Sequence, residues 1–105
     1  MAAHLAALGW VIVGTNVRLS RHEVDVLARD GDTLVLVEVK ARRRGAMVDP
    51  LSSITPRKQD QLRRAALHLA ARDGRDDLRI DVVCVVDGAI VEHLVGAVDF
   101  SLEAR

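Results

Sequence analysis

Apolar and polar residues alternate with a period of two over Glu23 to Arg29 and over Leu34 to Ala41, which assigns both stretches to β-strands. Asp30-Gly31-Asp32 between them is a turn signal, so the two strands form a hairpin. Upstream, Trp10-Val11-Ile12-Val13 runs on to Asn16-Val17-Arg18 as a further strand, and the Ala/Leu stretch from Ala2 to Leu8 reads as the last turns of a helix ending at Gly9. Downstream the period changes to that of a helix: Leu62, Ala65, Ala66, Leu69 and Ala70 recur on one side. Thr55 supplies its cap, Pro56 occupies the first helical position and Gly74 ends it. No valine lies between Val48 and Val82, in keeping with a helix flanked by strands of β-branched residues. Arg79 to Val86 and Ala89 to Val95 make a second hairpin across Asp87-Gly88, and Arg42 to Ser53, with Gly45, Pro50 and two serines, is a loop. The order predicts an α/β sandwich on a mixed sheet of about five strands, with residues 1–105 forming one domain.

Composition agrees with a folded domain. Half of the 105 residues are apolar and 15 basic side chains balance 15 acidic ones, which excludes an intrinsically disordered tail. A domain of this length buries roughly two-thirds of the surface its unfolded chain exposes, enough for one core without staples. The one cysteine, Cys84, sits inside Val82-Val83-Cys84-Val85-Val86 and reads as a small buried hydrophobe, so no disulfide framework is available. No apolar run approaches the roughly 20 residues that span a bilayer, and the apolar start lacks both the basic flank and the cleavage pattern of a signal peptide. A cytoplasmic protein with no membrane partner is expected.

Charge is unevenly placed. Between Lys40 and Arg64 eight basic residues (Lys40, Arg42, Arg43, Arg44, Arg57, Lys58, Arg63, Arg64) stand against Asp49 and Asp60, a local charge of +6. Such a cluster suits a phosphate backbone, which senses the field within about 8 Å at physiological salt; an ordinary solvated loop and helix surface is the competing reading. Trp10 and Phe100 are the only aromatic residues, too few for a base-stacking platform.

Alternation puts Glu23, Asp25 and Leu27 on one face of the first hairpin with Leu34, Leu36, Glu38 and Lys40, and Val24, Val26, Ala28, Val35, Val37 and Val39 on the other. A two-residue turn at Gly31-Asp32 sets Asp25 opposite Glu38 and Glu23 opposite Lys40; a turn at Asp30-Gly31 sets Glu23 opposite Glu38. Carboxylates held about 5 Å apart repel each other. A hard divalent cation, Mg²⁺ or Mn²⁺, would offset that repulsion and leave coordination positions for a scissile phosphate. Lys40, two residues beyond Glu38, would hold an attacking water or stabilise charge on the phosphoryl oxygens. Ordinary charges at an exposed hairpin end, with Glu23 and Lys40 as a weak cross-strand pair, account for the same spacing.

Arg57 and Lys58 occupy the first turn of the helix, where the helix dipole disfavours cations, and Lys58 lies in line with Leu62, Ala65 and Leu69. An anion in front of that turn, either the hairpin carboxylates or a phosphate, explains both positions. The alternative is that Lys58 snorkels to water.

Trp10 with Asn16-Val17-Arg18, Glu23-Val24-Asp25-Val26-Leu27, Val37-Glu38-Val39-Lys40 with Arg42, Lys58 ahead of Arg64-Ala65-Ala66, and Arg79-Ile80-Asp81-Val82 together resemble the bacterial YraN family, assigned to the restriction-endonuclease-like PD-(D/E)XK superfamily. The resemblance covers nearly the whole chain. It implies a restriction-endonuclease-like sheet flanked by helices, with Asp25 and Glu38 as metal ligands, the backbone carbonyl of Val39 as a further ligand and Lys40 as the catalytic lysine. Glu23, Lys58 and Asp81 match further polar positions of the family's motifs, although Asp81 could equally cap its strand or pair with Arg79. Two departures stand out. His22 replaces a glycine before the first acid, and the N-terminal helix is shortened relative to a longer family helix that carries a Gly-Glu pair.

The expected function is that of a nuclease-like protein using Mg²⁺ or Mn²⁺ on phosphodiester bonds of DNA or structured nucleic acid. Asp25, Glu38, Lys40 and Glu23 would be its catalytic set, with Arg42, Arg43, Arg44, Arg57 and Lys58 gripping phosphates. The alternatives are a nucleic-acid-binding module of the same fold without turnover, and a protein-interaction domain such as a homodimer. His4, His68 and His93 are too scattered for a metal motif, and no Gly-rich phosphate loop or Ser/His/Asp arrangement is present.

Overall fold

A computed structural model describes residues 1–43, 54–75 and 77–100. The elements follow the predicted order: α1 (Ala2–Ala7), β1 (Val11–Leu19), β2 (His22–Asp30), β3 (Thr33–Arg42), α2 (Pro56–Asp73), β4 (Leu78–Val86) and β5 (Ala89–Leu94). The five strands form one sheet in chain order. β3 and β4 run parallel because α2 carries the chain back between them, and the other three pairs are antiparallel. Of the predicted loop from Arg42 to Ser53, positions 44–53 lie outside the described residues.

The sheet is covered on both faces. Leu62, Ala65, Ala66 and Leu69 of α2 pack on Leu27, Leu34, Leu36 and Ile80. On the opposite face Leu5 of α1 packs with Val26, Ala28, Val35, Val37 and Val83. Strands buried on both faces need apolar residues at nearly every position, which is why β3 and β4 read as continuous valine-rich runs. Cys84 is buried with Ile54 and Val82, as its surroundings in the sequence implied.

The caps of α2 act as read. The Thr55 hydroxyl accepts a hydrogen bond from the Lys58 backbone N–H at 3.1 Å, and Gly74 takes the left-handed conformation, φ 65, that ends the helix. Thr55→Ala is expected to cost about 1 kcal/mol in thermal unfolding, and Thr55→Ser to leave stability near wild type.

One part of the hairpin departs from strict alternation. Val24 was expected to share a face with Val26, Ala28 and Val39; it packs instead with Val17, Leu19 and Leu27 beneath α2. The change of face falls at Asp25, which lies opposite Asn16 by the register of the flanking pairs Thr15↔Val26 and Val17↔Val24. Asn16 holds a left-handed backbone, φ 49, and this local twist turns the outer end of the β1–β2 hairpin over α2. The twist also shapes the site, because it carries β2 away from β3 just past Val26.

Candidate functional site

The β2–β3 register runs from Asp30↔Thr33 to Val26↔Val37, the register of the Gly31-Asp32 turn. Continued by one residue, it sets Asp25 opposite Glu38. At Val39 the role of backbone acceptor passes to a side chain, since the Val39 N–H donates to Asp25 Oδ2 at 2.7 Å. In an extended strand the N–H and C=O of one residue point to the same edge, so the Val39 carbonyl also faces the Asp25 side. The Asp25 and Glu38 carboxylates therefore come together where the strands part, on the edge that the Val39 backbone faces.

Glu38 is the unusual member. It is 5% exposed, and its Oε1 is buried with no hydrogen-bond partner. The ammonium of Lys58 stands 3.7 Å from that oxygen, close enough for an ion pair and too far for a hydrogen bond. Burial, and after it the neighbouring Asp25 carboxylate, push the Glu38 carboxyl up to about 7, while Lys58 and Lys40 pull it down. The charge on the acid pair is thus in balance near neutrality, where it takes up or loses a proton easily.

Lys58 behaves as its helical position implied: it turns inward and answers a hairpin carboxylate. Lys40 is half-buried and near enough for its charge to act on Glu38. The structure does not bring Glu23 into this group. It is exposed, pairs in register with Arg18 of β1, and forms no hydrogen bond or ion pair among the described residues, because β2 has already turned away from Lys40. His22 faces a separate groove beside α2. Arg42 is half-buried with its Nε buried and unbonded, Arg43 is exposed, and Arg44 lies outside the described residues. Arg57 is exposed and points away from Glu38 into the groove that His22 lines.

The donor set suits a hard divalent cation. Carboxylate and carbonyl oxygens are what Mg²⁺ and Mn²⁺ take, and Glu38 Oε1 is a buried acceptor with no donor to satisfy it. Among the described residues, no group of three or more His, Cys, Asp or Glu side chains is placed to hold a metal, so water or substrate oxygens would complete such a shell.

A second polar cluster surrounds Asp81, whose pairing with Arg79 was one of the sequence readings and whose histidine partners were not. Asp81 is fully buried and accepts from Arg79 Nε at 2.9 Å, Arg79 Nη2 at 3.1 Å and the Gly96 N–H at 2.9 Å. His93 Nε2 lies 2.9 Å from Oδ2, the oxygen that also accepts from Arg79 Nη2, and His93 Nδ1 lies 2.9 Å from His4 Nε2. Two of the three histidines that looked scattered, His4 of α1 and His93 of β5, are neighbours, whereas His68 lines the groove beside α2. The pairing of Asp81 with Arg79 was foreseeable from their i, i+2 spacing on a strand; nothing in sequence distance connects His4 to His93. His4 is shifted down by burial and by the adjacent His93, so it favours the neutral form. Trp10 lies under the Arg79 guanidinium at 5.2 Å and serves this cluster, not a base-binding surface.

A five-stranded mixed sheet with one long helix, and an acid pair with two lysines where two strands diverge, defines a small α/β protein with a buried charged cluster. Its sequence is that of a widespread family. Residues 1–85 match the profile described as "Uncharacterised protein family UPF0102", a span that includes Asp25, Glu38, Lys40, Lys58 and Asp81. The UPF0102 protein of Acidothermus cellulolyticus is 40% identical over 91% of this chain and 85% of its own length. That of Geobacter sulfurreducens is 40% identical over 95% of the chain and 83% of its own length. The Deinococcus radiodurans protein is 44% identical over 80% and 72% respectively. The chain belongs to the UPF0102 family, the YraN-like group that its motifs resemble. Among the described residues no helix is long and apolar enough to cross a membrane.

Proposed function

We propose that this protein is a divalent-metal-dependent nuclease-like domain acting on phosphodiester bonds of DNA or structured nucleic acid. The observation that carries the reading is the buried, unsatisfied Glu38 Oε1 beside Asp25, flanked by the ammonium groups of Lys40 and Lys58. Lys58 at 3.7 Å offsets part of the Glu38 charge but gives Oε1 no hydrogen bond, and a stretch of sheet kept only for packing would place an apolar residue there. The restriction-endonuclease-like resemblance points the same way.

In this reading Asp25, Glu38 and the Val39 carbonyl hold Mg²⁺ or Mn²⁺. When bound, the ion would supply Lewis-acid polarisation of a phosphoryl oxygen and acidify a water. The Val39 N–H fixes the Asp25 carboxylate through Oδ2, leaving its other oxygen available. Lys40 holds the attacking water or stabilises charge growing on the phosphoryl oxygens, and Lys58 balances the Glu38 charge until substrate arrives. Arg42 and Arg43, immediately beyond Lys40, meet backbone phosphates without reading bases.

The test is cleavage of duplex, nicked and branched DNA with Mg²⁺ and with Mn²⁺. Asp25→Ala, Glu38→Ala and Lys40→Ala are each expected to lower the rate at least about 100-fold. Equal rates in the two carboxylate variants reject the assignment. One observation favours a binding module without turnover: only two side-chain carboxylates converge among the described residues. That reading predicts salt-sensitive DNA binding with no metal-dependent products.

A further inference from the structure

Apart from the acid pair, basic side chains among the described residues gather in a groove of about 610 Å³ between the tip of the β1–β2 hairpin and the outward face of α2. Arg21 and His22 line it from the hairpin; Arg57, Asp60, Arg64 and His68 line it from the helix. The hairpin turns tightly there, with Ser20 in a left-handed conformation, φ 61, which projects the next two side chains toward α2. The helical residues recur at three- and four-residue steps, so they stand on one face. Arg57 and Arg64 are two turns apart, roughly 10 Å along the axis.

Among the described residues, Arg21 and Arg57 have no ion pair or hydrogen bond. Arg64 is held by Asp60 at 2.8 Å, but both side chains are more than half exposed, and a pair of that kind is readily exchanged for a stronger anion. The lining contains no aromatic or large apolar residue of the sort that anchors a protein partner. Guanidinium, imidazole and hydroxyl groups are instead the usual partners of phosphate oxygens. The groove and the acid pair are served by the same turn of α2. Arg57, which faces it, is followed in the first turn of α2 by Lys58, which faces Glu38.

We infer that this groove seats the phosphodiester backbone of a nucleic-acid strand on its way to the acid pair, with Arg21, Arg57 and Arg64 each facing a phosphate. The inference rests on the nuclease-like reading and extends it: the strand path runs along the β1–β2 tip and the outer face of α2, and contacts there are independent of base sequence.

The test is anisotropy of a fluorescently labelled DNA duplex, titrated with the protein at several salt concentrations. The double variant Arg21→Ala/Arg64→Ala is expected to bind about 10-fold more weakly, with a salt dependence shallower by about 1.8, one phosphate contact per lost arginine. The charge-conserving Arg21→Lys/Arg64→Lys variant should keep the wild-type slope. Arg72→Ala, at the far end of α2, should bind as wild type does. Melting curves and Mg²⁺ titration of each variant establish that the fold and the acid pair are intact. If the double variant binds DNA with the wild-type affinity and slope, or no more weakly than Arg72→Ala, the groove assignment falls and the nuclease-like reading stands. If the wild-type protein does not bind DNA or RNA at all, both fall together.

Discussion

Replacing Glu38 by glutamine is expected to raise the melting temperature of the metal-free protein at about pH 8 while abolishing its affinity for Mg²⁺ or Mn²⁺. The two effects have one cause. The Glu38 carboxyl is raised from 4.5 to about 7 in the folded protein, chiefly by burial and then by Asp25. Between those pH values the folded state holds a proton that the unfolded chain has released, so stability falls as pH rises through this window. Above about 7 the penalty is fully present, on the order of 2–3 kcal/mol; below about 4.5 it is gone. Glutamine carries no charge at any pH, so the variant should gain on the order of 10 °C over wild type at about pH 8 and match it near pH 4.5. Melting curves that differ by the same amount at every pH would show that the Glu38 charge is not the cause. Calorimetric titration of wild type should show Mg²⁺ or Mn²⁺ binding that tightens as pH rises through about 7, because the ion must displace the proton on Glu38. With Glu38→Gln or Asp25→Ala that heat should vanish.

The second large effect is expected at Asp81. Asp81→Ala removes the acceptor that Arg79, His93 and the Gly96 N–H share, and leaves a part-buried guanidinium without its bidentate partner. Losing one side of a buried charged network costs about 3–5 kcal/mol, a large share of the 5–15 kcal/mol typical of a domain. The midpoint of urea unfolding should fall accordingly. Asp81→Asn keeps an acceptor for one donor and should fall between the two. His4→Ala removes only the outermost, part-buried link and should cost about 1 kcal/mol. Divalent-cation binding by Asp81→Asn should match wild type, since Asp81 makes no contact with Asp25 or Glu38. An unchanged midpoint in Asp81→Ala would refute the structural role.

The contrast between these two carboxylates shows how each earned its place. Asp81 is buried and saturated with donors, so it ties β4 to β5 and, through His93, to α1. Glu38 is nearly as buried and has an oxygen with no donor. Each is an acid inside a valine-rich strand. The count of hydrogen bonds is what separates the two: Asp81 is saturated, and Glu38 Oε1 has none.

The elements were legible because the signals that specify them are local. Period-two alternation, Gly31 and Gly88 in the hairpin turns, and the Thr55-Pro56 start and Gly74 stop of α2 act within a few residues of where they stand. The β2–β3 register was legible only as a choice of two, since a tight turn counts off every pair behind it and the sequence allowed a turn at Gly31-Asp32 or at Asp30-Gly31; the structure has the first. The placement of Val24 and Glu23 was not legible. Both depend on the left-handed Asn16 of the neighbouring strand, whose effect on the face of β2 passes across the sheet and not along the chain.

The amino-acid order alone was enough for the α/β architecture and for acids on one face of adjoining strands, because periodicity and turn chemistry act over a few residues; it left the partner of Glu38 and the direction of Lys58 open. Packing in three dimensions chose the rest: which carboxylate is left without a donor, that His4 meets His93, and that Arg21 faces Arg57 across a groove. Those relations join residues tens of positions apart, and the free energy that selects them is burial and charge shared among elements that only the folded chain brings together.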